Sequence, residues 1–95
     1  MIDIFENTTR KCFETKVGDA IAFIEYIRAK GAVYLTHTEV PKALEGQGIA
    51  STLVKGVLTI LKNEEAKIAP LCPFVAAYIK RHPEWKTMLD PGYNV

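Results

Sequence analysis

Over the first forty residues the apolar positions fall two apart, the spacing that separates the two faces of a strand. Ile2 and Ile4 flank polar Asp3 and predict a short first strand. From Lys11 to Val17, Phe13, Thr15 and Val17 point one way while Cys12, Glu14 and Lys16 point the other. Gly18-Asp19 separates this run from the next, a two-residue hairpin signal. Ala20 to Arg28 carries Ile21, Phe23 and Ile27 on one face and Ile24 and Tyr26 on the other. Apolar residues on both faces predict a central strand. Lys30-Gly31 forms a second turn, and Ala32 to Val40 a fourth strand. Strict alternation places Val33, Leu35, His37 and Glu39 on one face and Tyr34, Thr36, Thr38 and Val40 on the other. Connections this short make an antiparallel meander.

Pro41 ends the fourth strand, because it brings no N–H to the ladder. After the loop Lys42-Ala43-Leu44-Glu45-Gly46 the period changes. Wound as a helix, Ile49, Ala50, Leu53, Val54, Val57, Leu58, Ile60 and Leu61 fall on one half of the surface. Ser51, Thr52, Lys55, Thr59 and Lys62 fall on the other, which predicts an amphipathic helix laid on a sheet and ending near Asn63. Lys67 to Leu71 reads as a fifth strand, parallel to the fourth because a helix crosses between them. Pro73 suits the first position of a second helix, with Phe74/Tyr78 and Val75/Ile79 as pairs one turn apart. His82-Pro83 stops it, and Glu84 to Leu89 add a turn or two. The order ββββ-α-β-α predicts an α/β (α+β) sandwich: a four-stranded antiparallel meander, a helix, a parallel fifth strand and a C-terminal helix.

Ninety-five residues are enough for one domain, taken as 1–95. The formal charge is +1 with both signs interspersed, which argues against a nucleic-acid partner. Cys12 and Cys72 show neither a multi-bridge framework nor a zinc spacing, so no metal site is expected. Met1 to Glu6 has no basic segment and no long apolar run. The expectation is a cytoplasmic protein with no membrane association and with free thiols.

The segment with chemistry is Glu45-Gly46-Gln47-Gly48-Ile49-Ala50-Ser51, leaving a strand and opening a helix. Two glycines let the backbone approach a ligand and present successive N–H groups. The first turn of the helix adds unpaired donors and partial positive charge, a phosphate site without a basic side chain. Taken alone, the same residues also fit a glycine-rich turn before an ordinary helix. No Gly-Lys-Ser/Thr follows, so it is not a P-loop; antiparallel strands before it exclude a dinucleotide fingerprint. It resembles motif A of the GNAT acetyltransferases, Gln/Arg-x-x-Gly-x-Gly/Ala. Gly48 and Ala50 match, and Glu45 stands where the motif has Gln or Arg. The flanking His37-Thr38-Glu39-Val40-Pro41, Cys72-Pro73-Phe74-Val75 and Tyr78-Ile79 resemble the very small GNAT-like proteins over nearly the whole chain.

That resemblance implies acetyl-coenzyme A as cofactor, held where the sheet splays. Gly46, Gln47, Gly48, Ile49, Ala50 and Ser51 would hold the pyrophosphate. Glu39 and Val40 would run beside the pantetheine arm, with Pro73, Phe74 and Tyr78 completing the site. It also implies a chain without the N-terminal helices that build an acceptor pocket in larger members. Three residues are candidates for catalysis. Cys72 directly precedes a helix, whose N-terminus favours a nucleophilic thiolate; the alternative is an inert buried thiol. His37 is suited to deprotonate an amine, with Glu39 on the same face; the alternative is a hydrogen-bonded sheet histidine. Tyr78 would protonate the coenzyme sulfur, or belongs to an aromatic core stripe. Lys80 and Arg81 reach a coenzyme phosphate or form a solvated face, and Trp85 packs. Two functions follow: an acetyl-coenzyme A-dependent N-acetyltransferase, direct or through acetyl-Cys72, toward an unidentified amine acceptor, or a non-catalytic acetyl-coenzyme A-binding module. Binding of a phosphate ligand unrelated to coenzyme A is a weaker third.

Overall fold

The computed structural model describes residues 3–95. One sheet runs in the order β1-β2-β3-β4-β5: Phe5–Asn7, Cys12–Val17, Ala20–Ala29, Ala32–Glu39 and Lys67–Pro70. The first four strands are antiparallel and β5 is parallel to β4. Helix α1 (Ile49–Asn63) makes the crossover, and α2 (Pro73–Arg81) follows β5. A 3-10 turn at Pro83–Met88 closes the C-terminal part, where Trp85 packs against the core. The expected order of elements is therefore present. The first strand is Phe5–Asn7 instead of the stretch around Ile2 and Ile4. Ile2 lies outside the described residues, and Ile4 fills the space above Gly56 of α1, where an added Cβ would collide with it. The β3–β4 turn has Lys30 and Gly31 both at positive φ, 53° and 78°, the twist that suits a two-residue hairpin.

One core joins a single face of the sheet to both helices. Phe13, Ala22, Ile24, Tyr26, Val33, Leu35 and Ile68 meet Leu53, Val54, Val57, Leu58 and Leu61 of α1 and Val75 and Ile79 of α2. Strand β3 has the central place in the sheet and the apolar residues on both faces that were expected, but only one of those faces is covered. Ala22, Ile24 and Tyr26 are buried, but Ile21 and Ile27 are exposed, at 38% and 55%. Strand β3 is central in hydrogen bonding, while its second face carries no helix.

Two further side-chain orientations differ from simple alternation. In β2 the polar face is closed: Cys12 and Glu14 are as buried as Phe13 and Thr15. Cys12 Sγ donates to Glu14 Oε2 (3.2 Å), Asn7 Nδ2 donates to the same oxygen (3.3 Å), and Arg10 lies 3.9 Å from it. In β4 the register shifts. Leu35 opposes Tyr26, but His37 opposes Glu25, so Thr36 is an extra residue, a β-bulge. From that point the faces exchange. Thr38 lies opposite Ile24 on the core side, and His37 and Glu39 turn to the open face with Glu25 and Phe23.

Arg28 pins three elements together. Its Nε and Nη2 donate to the two carboxylate oxygens of Glu6 and its Nη1 to Glu64 at 3.0 Å, while the Tyr26 hydroxyl donates to Glu6. The pairs are partly solvated, with 39% of the Arg28 side chain exposed. Arg28→Ala should therefore cost only about 1 kcal/mol in urea unfolding at low salt, and less at high salt.

Candidate functional site

The site begins where β4 and β5 part. Their parallel pairing runs from Ala32 and Lys67 to Leu35 and Pro70. The Cys72 N–H then donates to Leu35 O (2.8 Å), after which the chain turns into α2. Pro73 can lead that helix because the first position needs no N–H partner. Strand β4 continues to Glu39 without β5 beside it, so a wedge opens between the end of β4 and the start of α2.

At the far end of β4 the chain passes through the 3-10 turn Lys42–Leu44, anchored by buried Leu44, into the glycine loop. Gln47 Nε2 donates to Ala43 O (3.2 Å) and fixes the loop's width. Gly46 and Gly48 both take left-handed backbone angles, φ 81° and 73°, which side-chain-bearing residues rarely adopt. Gly48 is the N-cap of α1 and offers no side-chain cap. The first helical bond is Thr52 N–H to Gly48 O (3.1 Å). The N–H groups of Ile49, Ala50 and Ser51 thus have no acceptor within the helix, and no acidic side chain stands in its first turn. A Cβ on Gly46 or Gly48 would meet nothing within 4 Å. The two glycines leave an open loop beside a row of donors that have no acceptor among the described residues.

The sequence candidates for catalysis do not converge on one point. Cys72 is the N-cap of α2, 5% exposed on the core side of the wedge. Its Sγ lies 3.2 Å from Thr38 Oγ1. His37, carried to the other face by the bulge, pairs with Glu39 (Nε2 to Oε1 2.8 Å), with both side chains more than half exposed. Its ring meets that of Phe23 edge-on at 6.4 Å. Tyr78 is buried in the core cluster with its ring stacked on His82 at 4.3 Å. Burial pushes its hydroxyl above the usual tyrosine range, Glu84 adds to this and Arg81 opposes it, so it stays a proton donor. Val40 and Phe74 are half-buried against the core, flanking the wedge from β4 and α2. Lys80 and Arg81 sit exposed in the last turn of α2, at the end away from Pro73. Thr38 is the residue that sequence reasoning passed over. Alternation had put it on the face opposite Val33 and Leu35, and nothing in an all-polar Thr36–Glu39 run marks the bulge.

The family profile described as GCN5-related N-acetyltransferase matches residues 12–88, from the start of β2 through the glycine loop and both helices. The chain belongs to the GCN5-related N-acetyltransferase family. Among its relatives, the protein NATD1 of Homo sapiens is 39% identical over 64 residues, 67% of this chain and 56% of that protein. NATD1 of Xenopus tropicalis is 38% identical over 64 residues (67% and 58%), and that of Danio rerio 34% over 64 residues (67% and 57%). The match spans a little over half the length of these relatives. Family membership agrees with the fold: the antiparallel strands, the crossover helix after a glycine loop and the parallel β5 stand in the family's minimal order. Among the described residues no helix is long and apolar enough to cross a membrane.

Proposed function

We propose that the protein is an acetyl-coenzyme A-dependent N-acetyltransferase that holds the coenzyme's pyrophosphate at the start of α1. The observation that carries this is the cradle: two left-handed glycines, open space where their Cβ atoms would be, and three N–H groups at an uncapped helix start with no acceptor among the described residues. Such donors and the helix dipole favour a doubly charged anion. The residues present fit the rest of the coenzyme as well. Beyond Leu35 the edge of β4 has no β5 partner, so Glu39 and Val40 offer backbone groups to the amides of a pantetheine arm. Pro73 and Phe74 stand at the start of α2 on the other side of the wedge, with Tyr78 buried one turn beyond Phe74. When bound, acetyl-coenzyme A supplies an acetyl group activated as a thioester.

The chain's own residues then have distinct tasks. Glu39 fixes the His37 ring by its 2.8 Å contact, and the other ring nitrogen is free to take a proton from an ammonium acceptor on the open face. Cys72 holds a thiol at the wedge as a covalent alternative. Tyr78, kept protonated by burial, is a donor to a leaving thiolate. The acceptor is an amine, small molecule or protein.

A second reading has its own observation. His37 and Cys72 lie on opposite sides of β4, and the His37–Glu39 pair stands on an exposed face. A non-catalytic acetyl-coenzyme A-binding module needs the cradle and no acceptor pocket. Thermal unfolding tests what both readings share. At ten times its Kd, acetyl-coenzyme A or coenzyme A should add about 1.4 kcal/mol to stability and several degrees to Tm. ATP at the same concentration should add nothing measurable. No shift with either coenzyme overturns the proposal. An amine screen reading thiol release, with intact mass to detect acetyl-Cys72, separates enzyme from binding module.

A further inference from the structure

We propose that Thr38 is the positioning residue for the Cys72 thiol, holding it toward the wedge and stabilising it when it ionises. The proposal rests on reading the wedge as the acyl site, yet its test needs no coenzyme.

The geometry begins with the bulge. Had β4 kept strict alternation, His37 would face α2 and Thr38 would face away from it. The extra residue at Thr36 reverses this, so Thr38 points inward beside Ile24 and places Oγ1 3.2 Å from Cys72 Sγ. Cys72 itself is fixed from behind, because its N–H is bonded to Leu35 O and its carbonyl accepts from Ala76. Threonine is suited to the task. Two substituents on Cβ restrict its χ1, so the hydroxyl is presented in one direction.

The chemistry follows from the protonation state. With a neutral thiol either group can donate to the other. Once the sulfur loses its proton to water it can only accept, and the Thr38 O–H becomes the donor. Cys72 is 5% exposed, which leaves little room for water to replace that bond. A hydrogen bond made to the charged form favours that form. Thr38 therefore decides how readily Cys72 becomes a nucleophile, while His37 and Glu39, on the opposite face, do not touch it.

The experiment is the pH profile of Cys72 alkylation by iodoacetamide, read by peptide mass, in the wild type, Thr38→Val, Thr38→Ser and His37→Gln. Valine keeps the shape and removes the hydroxyl. It should slow the reaction roughly tenfold, the loss of one hydrogen bond to the sulfur. Serine should restore most of the wild-type profile, and His37→Gln should leave it in place. A Thr38→Val profile that superimposes on the wild type overturns the proposal. So does a Cys72 that is labelled only after denaturation, or a His37→Gln shift as large as that of valine. Coenzyme-induced thermal shifts measured on the same variants separate the two readings. A valine effect without any coenzyme shift keeps Thr38 as the thiol's partner and removes the acyltransferase. A coenzyme shift without a valine effect does the reverse.

Discussion

Replacing Gly48 with valine should weaken coenzyme A binding more than 100-fold, ~3 kcal/mol, while leaving a folded protein. Two effects act together. Gly48 holds φ at 73°, and a side chain in that left-handed region costs about 1–2 kcal/mol, more when branched at Cβ. In the proposed complex the new side chain would also compete with the ligand for the open space beside the loop, where an added Cβ meets nothing within 4 Å. Gly48→Ala shares most of the strain and little of the obstruction, so its affinity should fall between the two. Glu45→Gln provides the complementary change. Glu45 is exposed beside the cradle, so removing its charge should tighten binding a few-fold and leave stability alone. Calorimetric titration with coenzyme A, on variants checked by circular dichroism, measures all three. A folded Gly48→Val that binds normally makes the loop a turn and nothing more. If valine unfolds the chain, unchanged affinity in Gly48→Ala and Glu45→Gln leads to the same conclusion.

The cradle was legible in the sequence because its cause is local. Glycines at the end of a strand, followed at once by an amphipathic run, set the backbone angles and the uncapped helix start without help from distant residues. The order of elements was legible for a related reason: Pro41, Pro73 and His82-Pro83 punctuate the chain where the hydrophobic period changes. The face that Thr38 presents was not. A bulge depends on how β4 is paired with β3, and the run Thr36-His37-Thr38-Glu39 contains no apolar residue to betray a reversal. Val33 and Leu35 face the core, and the extra residue at Thr36 brings Thr38 to that same side. The exposed second face of β3 is a different case. Alternation reports two apolar faces, but which face receives helices depends on the path of the crossover. Isoleucines 21 and 27 satisfy the pattern and still stand in solvent. The closed surroundings of Cys12 and Glu14 likewise involve Asn7 at the end of β1 and Arg10 of the turn, which alternation within β2 cannot register.

That buried pair leads to an effect of comparable size on stability. Burial pushes the Cys12 thiol up to about 11 from its ordinary 9.0, with the hydrogen bond to Glu14 and the Glu14 charge next in weight, Arg10 opposing and Glu25 adding. The fold therefore favours the protonated thiol. The stability this gives is complete below pH 9.0, where the thiol is protonated in both states. It is lost as pH rises through about 11, because the unfolded chain releases the proton first. A two-unit difference corresponds to roughly 2–3 kcal/mol, a large share of the stability of so small a domain. Cys12→Ser keeps a small donor facing Glu14 but does not titrate in this window. Urea unfolding of the two proteins at several pH values should show the wild type losing that much more stability than the serine variant. Tyr26, Tyr78 and Tyr93 also have raised hydroxyls, but they are present in both proteins and cancel in the difference. Parallel pH profiles would mean that the Cys12–Glu14 contact opens in solution. A wild type that falls further than the serine variant means that the folded chain holds Cys12 protonated.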